Sequence, residues 1–254
     1  MKRYAFLLLS IILLSGLSFA RGSYKLPVLP SPEHYGDVTM HRATDEKNVA
    51  PAEFSHWVHR VKYTCRVCHY ELEFPMKSND TPIVCNKGKM NGRYCAVCHN
   101  GKVSFGPEDK DGENCSRCHS RTATASWNKF HELQEKLPKS KFGNEINWSK
   151  ALDEGLIKPM HSLSGGTREI VNINKTLTLE AEMSGISSAV FPHKTHEQWL
   201  DCSSCHPELF NIKKKTTESL RMSNMIKGES CGVCHLFVAF PLDDCNRCHP
   251  NMRH

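Results

Sequence analysis

Six times in this chain a cysteine is followed three residues later by a second cysteine and then at once by a histidine. The sets are Cys65, Cys68, His69; Cys95, Cys98, His99; Cys115, Cys118, His119; Cys202, Cys205, His206; Cys231, Cys234, His235; and Cys245, Cys248, His249. Twelve of the thirteen cysteines are used in this way, and the chain carries fifteen histidines. Two thiols and an imidazole at this spacing suit covalent attachment of c-type haem: each thiol adds to one vinyl group and the histidine reaches the iron. Zinc sites also use cysteine pairs, but they need four ligands and no histidine directly after every second cysteine. Disulfides or a redox-active cysteine pair would leave the histidines unexplained. The cofactor expected is therefore six haem c.

Six irons can take six further ligands, and nine histidines lie outside the motifs: His34, His41, His56, His59, His131, His161, His193, His196 and His254. "FSHWVHRVKYTCRVCH" from Phe54 and "FPHKTHEQWLDCSSCH" from Phe191 align without a gap. They place His56 and His59 where His193 and His196 stand, so one histidine of each pair is expected to ligate the haem attached just downstream and the other a neighbouring haem. For the third haem of each half the favoured ligands are His41, in "DVTMH", and His161, in "IKPMH". His34, His131 and His254, or Met90, Met222 and Met225 in a His/Met site, stay open as replacements. Imidazole on both faces leaves no vacant position on iron, which suits one-electron exchange and disfavours substrate binding.

The elements that must hold these residues fall into two halves. The intervals between first cysteines are matched in the two halves, and "CAVCHNGKVSF" from Cys95 parallels "CGVCHLFVAF" from Cys231. This reads as an internal duplication. The expected organisation is a signal peptide at 1–20, a first three-haem unit at 21–120, a haem-free helical linker at 121–160 and a second three-haem unit at 161–254. Trp127, Phe130 and Leu133 give the linker one apolar helical stripe, which Pro138 ends. A second short helix starts near Asn147 and stops around Gly155. The linker is read as packing, with cover for an exposed haem edge or a docking arm as the sharper alternative. Val171, Ile173, Leu177 and Leu179 alternate around Asn174-Lys175 and suggest a small hairpin. Elsewhere loops and short helices are expected: a mostly irregular fold organised around covalent haems, with Trp57, Tyr63 and Trp199 packed on porphyrin faces. Apolar side chains are thin, so the porphyrins must supply much of the buried surface and the apoprotein should be largely unfolded.

Lys2 and Arg3 lead into the apolar run LLLSIILLSGLSFA, with Ser18 and Ala20 placed for cleavage. Export is expected, to the periplasm or cell surface, with retention of the run as an anchor as the alternative. Loss of Lys2 and Arg3 lowers the formal charge from +6 to +4. Twelve haem propionates would outweigh that, so the basic composition does not imply nucleic acid. Cys85 is left over and reads either as an inert buried thiol or as a link to another subunit.

Phe-x-His-x-x-His followed by Cys-x-x-Cys-His, with two further binding motifs close behind, resembles the three-haem cytochrome c7 group within the class III, or c3-like, multihaem cytochromes. The likeness covers about residues 51 to 119 and 188 to 249. It implies that His56 serves the haem at His69 and His59 the haem at His99, while His193 and His196 serve those at His206 and His235. The small c7 proteins take their third distal histidine from just before the middle motif. Here that place holds Met90-Asn-Gly-Arg-Tyr and Met225-Ile-Lys-Gly-Glu-Ser, so the ligand must come from elsewhere. The resemblance implies an electron carrier in anaerobic respiration or extracellular electron transfer, working with other redox proteins such as membrane or outer-surface cytochromes. Self-association into an oligomer or filament stays open. The alternative is an oxidoreductase with one open iron acting on a small nitrogen-oxide substrate.

Overall fold

The computed structural model describes residues 25–42, 49–77, 79–83, 85–86, 89–107, 109–119, 124–166, 173–181, 185–211 and 220–252. The expected signal peptide, Val171 and His254 lie outside them. Regular structure is sparse, as expected, and repeats. Strands β1 (Asp37–Met40) and β2 (Ala52–Ser55) pair antiparallel, with Val38 opposite Phe54, and run straight into helix α1 (His56–Arg60). A minimal hairpin, β3 (Cys85–Asn86) and β4 (Lys89–Met90), follows. Helices α2 (Thr124–Lys136) and α3 (Trp148–Asp153) come next. Strands β5 (Thr176–Leu179) and β6 (Ala189–Pro192) then pair with Leu177 opposite Phe191 and run into α4 (His193–Glu197). Single helical turns α5 (Met222–Met225), α6 (Gly232–His235) and α7 (Cys245–Cys248) complete the chain. The first arm of the hairpin expected around Asn174-Lys175 lies partly outside the described residues, at Val171, and its second arm, β5, pairs with 189–192. The Lys175 carbonyl instead accepts the His193 N–H at 3.0 Å.

Two-stranded hairpins of four residues are not stable alone. Each is fixed by what it holds: Glu53 N–H donates to the Cys118 carbonyl at 2.8 Å, tying β2 to the third haem motif of its half.

The side-chain core lies in the haem-free middle of the chain. Phe130 and Ala151 are fully buried, with Leu137, Ile146 and Ile157 around them, and Trp57 from the first half and Trp199 from the second complete the same cluster. The Trp57 ring meets Phe130 edge-on at 5.2 Å. These two tryptophans therefore pack on the helical segment, against the expectation that they would cover porphyrin. The reason is their position next to the histidine pairs: Trp57 lies between His56 and His59 in α1, and Trp199 lies two residues beyond the end of α4. Local signals in this segment are followed closely. The Asn147 side chain accepts the Lys150 N–H at 3.1 Å and caps α3. Gly155, at φ +68°, closes it: its own N–H donates to Leu152 and that of Leu156 to Ala151.

Direct contacts join the halves as well. Arg66 N–H donates to the Trp199 carbonyl at 2.9 Å, and the Arg66 side chain pairs with Asp201 at 3.2 Å and with Glu71. The buried Tyr35 donates its hydroxyl to the Ala239 carbonyl at 2.6 Å. Removing the Phe130 ring should therefore loosen both halves together. Phe130→Ala is expected to cost about 3–5 kcal/mol, read as a fall in the denaturant midpoint of the haem-loaded protein. A change confined to one half would contradict a shared core.

Candidate haem sites

The Cys-x-x-Cys-His segments fold as helical turns because four residues is one turn. In five of them the histidine N–H donates to the first cysteine's carbonyl, as in His99 to Cys95 at 2.8 Å and His235 to Cys231 at 2.9 Å; the sixth, at Cys65, lies in continuous helical backbone. One turn puts both thiols and the imidazole on neighbouring positions of the same short element.

Each motif histidine then uses Nδ1 on a backbone carbonyl: His69 on Phe74 at 2.9 Å, His99 on Phe105 at 3.1 Å, His119 on Ala50 at 2.6 Å, His206 on Phe210 at 2.7 Å, His235 on Phe240 at 2.9 Å and His249 on Ser187 at 2.7 Å. A carbonyl only accepts, so the proton sits on Nδ1 and Nε2 keeps its lone pair, the form that binds iron. The paired histidines do the same. Nδ1 of His56 donates to Gly36 at 2.6 Å, of His59 to Ser55 at 3.1 Å, of His193 to Lys175 at 2.9 Å and of His196 to Pro192 at 2.9 Å.

Charge agrees with this arrangement. Burial above all drives His56 down to about 3, against the raising effect of its Gly36 hydrogen bond. Burial likewise takes His235 to about 4 and lowers His59, His69, His99 and His196. All of these rings are neutral at pH 7. Burial also pushes the thiols up, Cys68 and Cys234 to about 12 and Cys95, Cys231 and Cys248 to about 11. None of the twelve motif cysteines is joined in a disulfide. Among the described residues no three His, Cys, Asp or Glu side chains converge as a metal-ion site.

The two halves repeat this geometry nearly atom for atom. His59 faces His99 with ring centres 6.2 Å apart and planes at 63°; His196 faces His235 at 6.1 Å and 64°. A metal–imidazole bond of about 2 Å plus about 1.1 Å from Nε2 to the ring centre, taken on each side of one iron, spans this separation. Phe54 stacks on His59 at 4.4 Å and meets His56 edge-on at 4.9 Å, while Phe191 does so on His196 at 4.3 Å and His193 at 4.9 Å. The phenylalanine two residues before each pair is thus a splint for both imidazoles. The matched ends of "CAVCHNGKVSF" and "CGVCHLFVAF" also gain a reason, since their final phenylalanines supply the carbonyls for His99 and His235 and pack on those rings at 4.4 and 4.3 Å.

The two Met-His pairs are not equivalent. Met40 ends β1 opposite Ala52, so His41 follows at a strand end whose partner residue stands two places from Ala50, the acceptor for His119. The His41 Nε2 meets the Asn79 side-chain amide at 3.2 Å. Met160 instead bridges Tyr63 of the first half, and the His161 carbonyl accepts from Arg66 at 2.9 Å. In the second half the residue after the strand end is Glu180. Among the other candidates, His34 directs Nδ1 to the Asp37 carboxylate at 2.9 Å and packs edge-on against Trp127 at 5.6 Å. His131 lies in α2 beside Phe130. Met90 lies in β4, and Met222 and Met225 bound α5.

A sequence profile described as cytochrome c7 and related cytochrome c matches residues 52–120 and 189–250. Among solved structures, a c7-type three-haem cytochrome domain is 34% identical over 33% of this chain and 100% of its own, with a TM-score of 0.28. The C-terminal hexahaem fragment of a dodecahaem cytochrome c is 25% identical, covering 84% of this chain and 96% of its own at a TM-score of 0.26. The whole dodecahaem protein is 24% identical, covering 86% and 75% at 0.29. No curated protein matches the chain.

Proposed function

The chain belongs to the cytochrome c7 family of multihaem, electron-transferring c-type cytochromes, and we propose that it is an exported six-haem carrier built from two three-haem units. The reading rests on the repeated pair of facing imidazoles, His59 with His99 and His196 with His235. Haem c, when attached, supplies one reversible electron per iron. The chain's own part is to hold neutral imidazoles by their Nδ1 protons, so that no ring must turn or gain a proton when charge changes nearby.

In this assignment the twelve motif cysteines carry six haems and the six motif histidines are proximal ligands. His56, His59, His193 and His196 are distal ligands for the haems at His69, His99, His206 and His235. His41 serves the haem at His119, supported by the pairing of Met40 with Ala52, two residues from the His119 acceptor Ala50. His161, the histidine of the other Met-His pair, is assigned to the haem at His249 ahead of His34, His131 and His254, although its backbone is tied to the first unit. The carrier would work in anaerobic or extracellular respiration, in the periplasm or at the cell surface, exchanging electrons with other redox proteins.

Two measurements test this. The mass of the mature protein should show six haems. Carbon monoxide added to the fully reduced protein should leave the Soret and alpha bands unchanged, since every iron has two ligands. A mass short of six ends the six-haem reading. A carbon monoxide shift equal to one haem would favour the second reading, an oxidoreductase open at one iron, and Glu180 at the place of His41 points to the haem at His249 as that iron.

A further inference from the structure

One side chain at the junction of the two units is not explained by attachment or ligation. Arg60 ends α1, beside His59 and five residues before Cys65. Its guanidinium lies 5.2 Å from the centre of the Trp148 ring, and Nη2 donates to the Val238 carbonyl at 2.8 Å. Cys65 of the first motif and Cys234 of the fifth are its neighbours, together with Tyr35. Arg60 is half-buried at this junction. Among the described residues no aspartate or glutamate pairs with it. A guanidinium carries five N–H donors in a planar fork, and only one of them is used here on an uncharged acceptor. A cation held in protein without a counter-charge is strongly disfavoured.

The duplication separates this residue from the ligand machinery. At the aligned position of the second unit stands Glu197, of opposite charge, whose carboxylate accepts the Ile173 N–H at 3.0 Å on the exposed surface. Arg60 is therefore no part of the repeated haem-holding pattern. It belongs to the junction, where the first haem motif of one unit approaches the middle motif of the other.

We propose that Arg60 is the binding site for a porphyrin carboxylate at this junction, supplied by the haem attached at Cys65 and Cys68 or by the one attached at Cys231 and Cys234. The inference rests on the six-haem reading and adds a charge-pairing site to it. A planar fork with adjacent free donors fits a carboxylate in bidentate fashion, which a lysine could not reproduce. The pair would also set the redox behaviour of its haem. A nearby cation disfavours the more positive, oxidised iron, and its loss would leave an unneutralised carboxylate that favours it.

The first test is a crystal structure of the mature haem-loaded protein. A propionate oxygen within hydrogen-bond distance of the Arg60 guanidinium supports the site, and its haem identifies which of the two sources is used. A protein carboxylate, chloride or water alone at those donors overturns it. The second test is a redox titration of R60M and R60K, each first shown by mass to carry six haems. R60M should lower the midpoint of one haem and leave the others in place, and R60K should recover most of that shift. Six midpoints unchanged in R60M would overturn the proposal. A wild-type mass below six haems would instead strike the underlying reading, so the two failures are told apart. If R60M does not mature, the wild-type crystal structure still decides.

Discussion

Replacing His59 with alanine should open one iron of the six and leave the rest closed. Carbon monoxide should then perturb a sixth of the reduced Soret band, and His196→Ala should give the same result from the other unit. The expectation follows from matched geometry: ring centres at 6.2 and 6.1 Å, planes at 63° and 64°, and a phenylalanine stacked on each of His59 and His196. No neighbouring side chain can take the vacated place without disturbing that splint, because Phe54 already occupies the face of His59 and Nδ1 of His56 is held by Gly36. The double variant should double the carbon monoxide response. A His59→Ala protein that retains six haems and still ignores carbon monoxide would remove His59 from the ligand set. Equal effects at the two positions would also mean that the duplication extends to function, since the flanking residues Arg60 and Glu197 differ in charge.

The haem motifs, the duplication and the paired histidines are legible in sequence because covalent attachment needs fixed residue types at fixed spacing. Helix α3 is legible for a similar reason: the Asn147 cap and the Gly155 stop are local instructions. What the sequence hides is long-range. Trp57 and Trp199 sit in aligned neighbourhoods of haem motifs, and nothing local says that both join the buried cluster that contains Phe130. The pairing of β5 with 189–192 is hidden too, because the alternation around Asn174-Lys175 satisfies a short hairpin equally well on paper. Carbonyl acceptors such as Ala50 and Ser187 are invisible, since any residue supplies a backbone oxygen; only their identical distance ahead of His56 and His193 betrays them. His41 and His161 look alike in sequence for a poor reason, a shared Met-His dipeptide, whereas strand pairing gives one of them a place at its unit's hairpin and ties the other to the opposite unit.

Gly232→Ala should prevent attachment at the fifth motif, yielding a protein one haem short or none that survives maturation. The added methyl would lie 1.9 Å from the Met225 carbonyl oxygen and within 2.8 Å of its carbon and Cα. All three are backbone atoms, so no rotamer change relieves the contact. The Met225 carbonyl is itself fixed, accepting the Gly228 N–H at 3.0 Å at the end of α5, and Gly232 donates to Glu229 at 2.8 Å. The segment between α5 and α6 is therefore a closed loop pressed against the motif turn, and parting it displaces Cys231 and Cys234 from each other's turn. Overpacking of a well-fitted interior commonly costs about 1–3 kcal/mol, and a clash with backbone belongs at or beyond the upper end. The first unit supplies the control, because the aligned residue is Ala96, whose methyl is buried there without such a contact. Ala96→Gly should keep all six haems, with a cost near 1 kcal/mol from added chain freedom. Mass spectrometry of both variants reads the difference directly. A six-haem Gly232→Ala protein with wild-type midpoints would mean that α5 does not pack on the fifth motif, and that the second unit holds its middle haem by ligation alone.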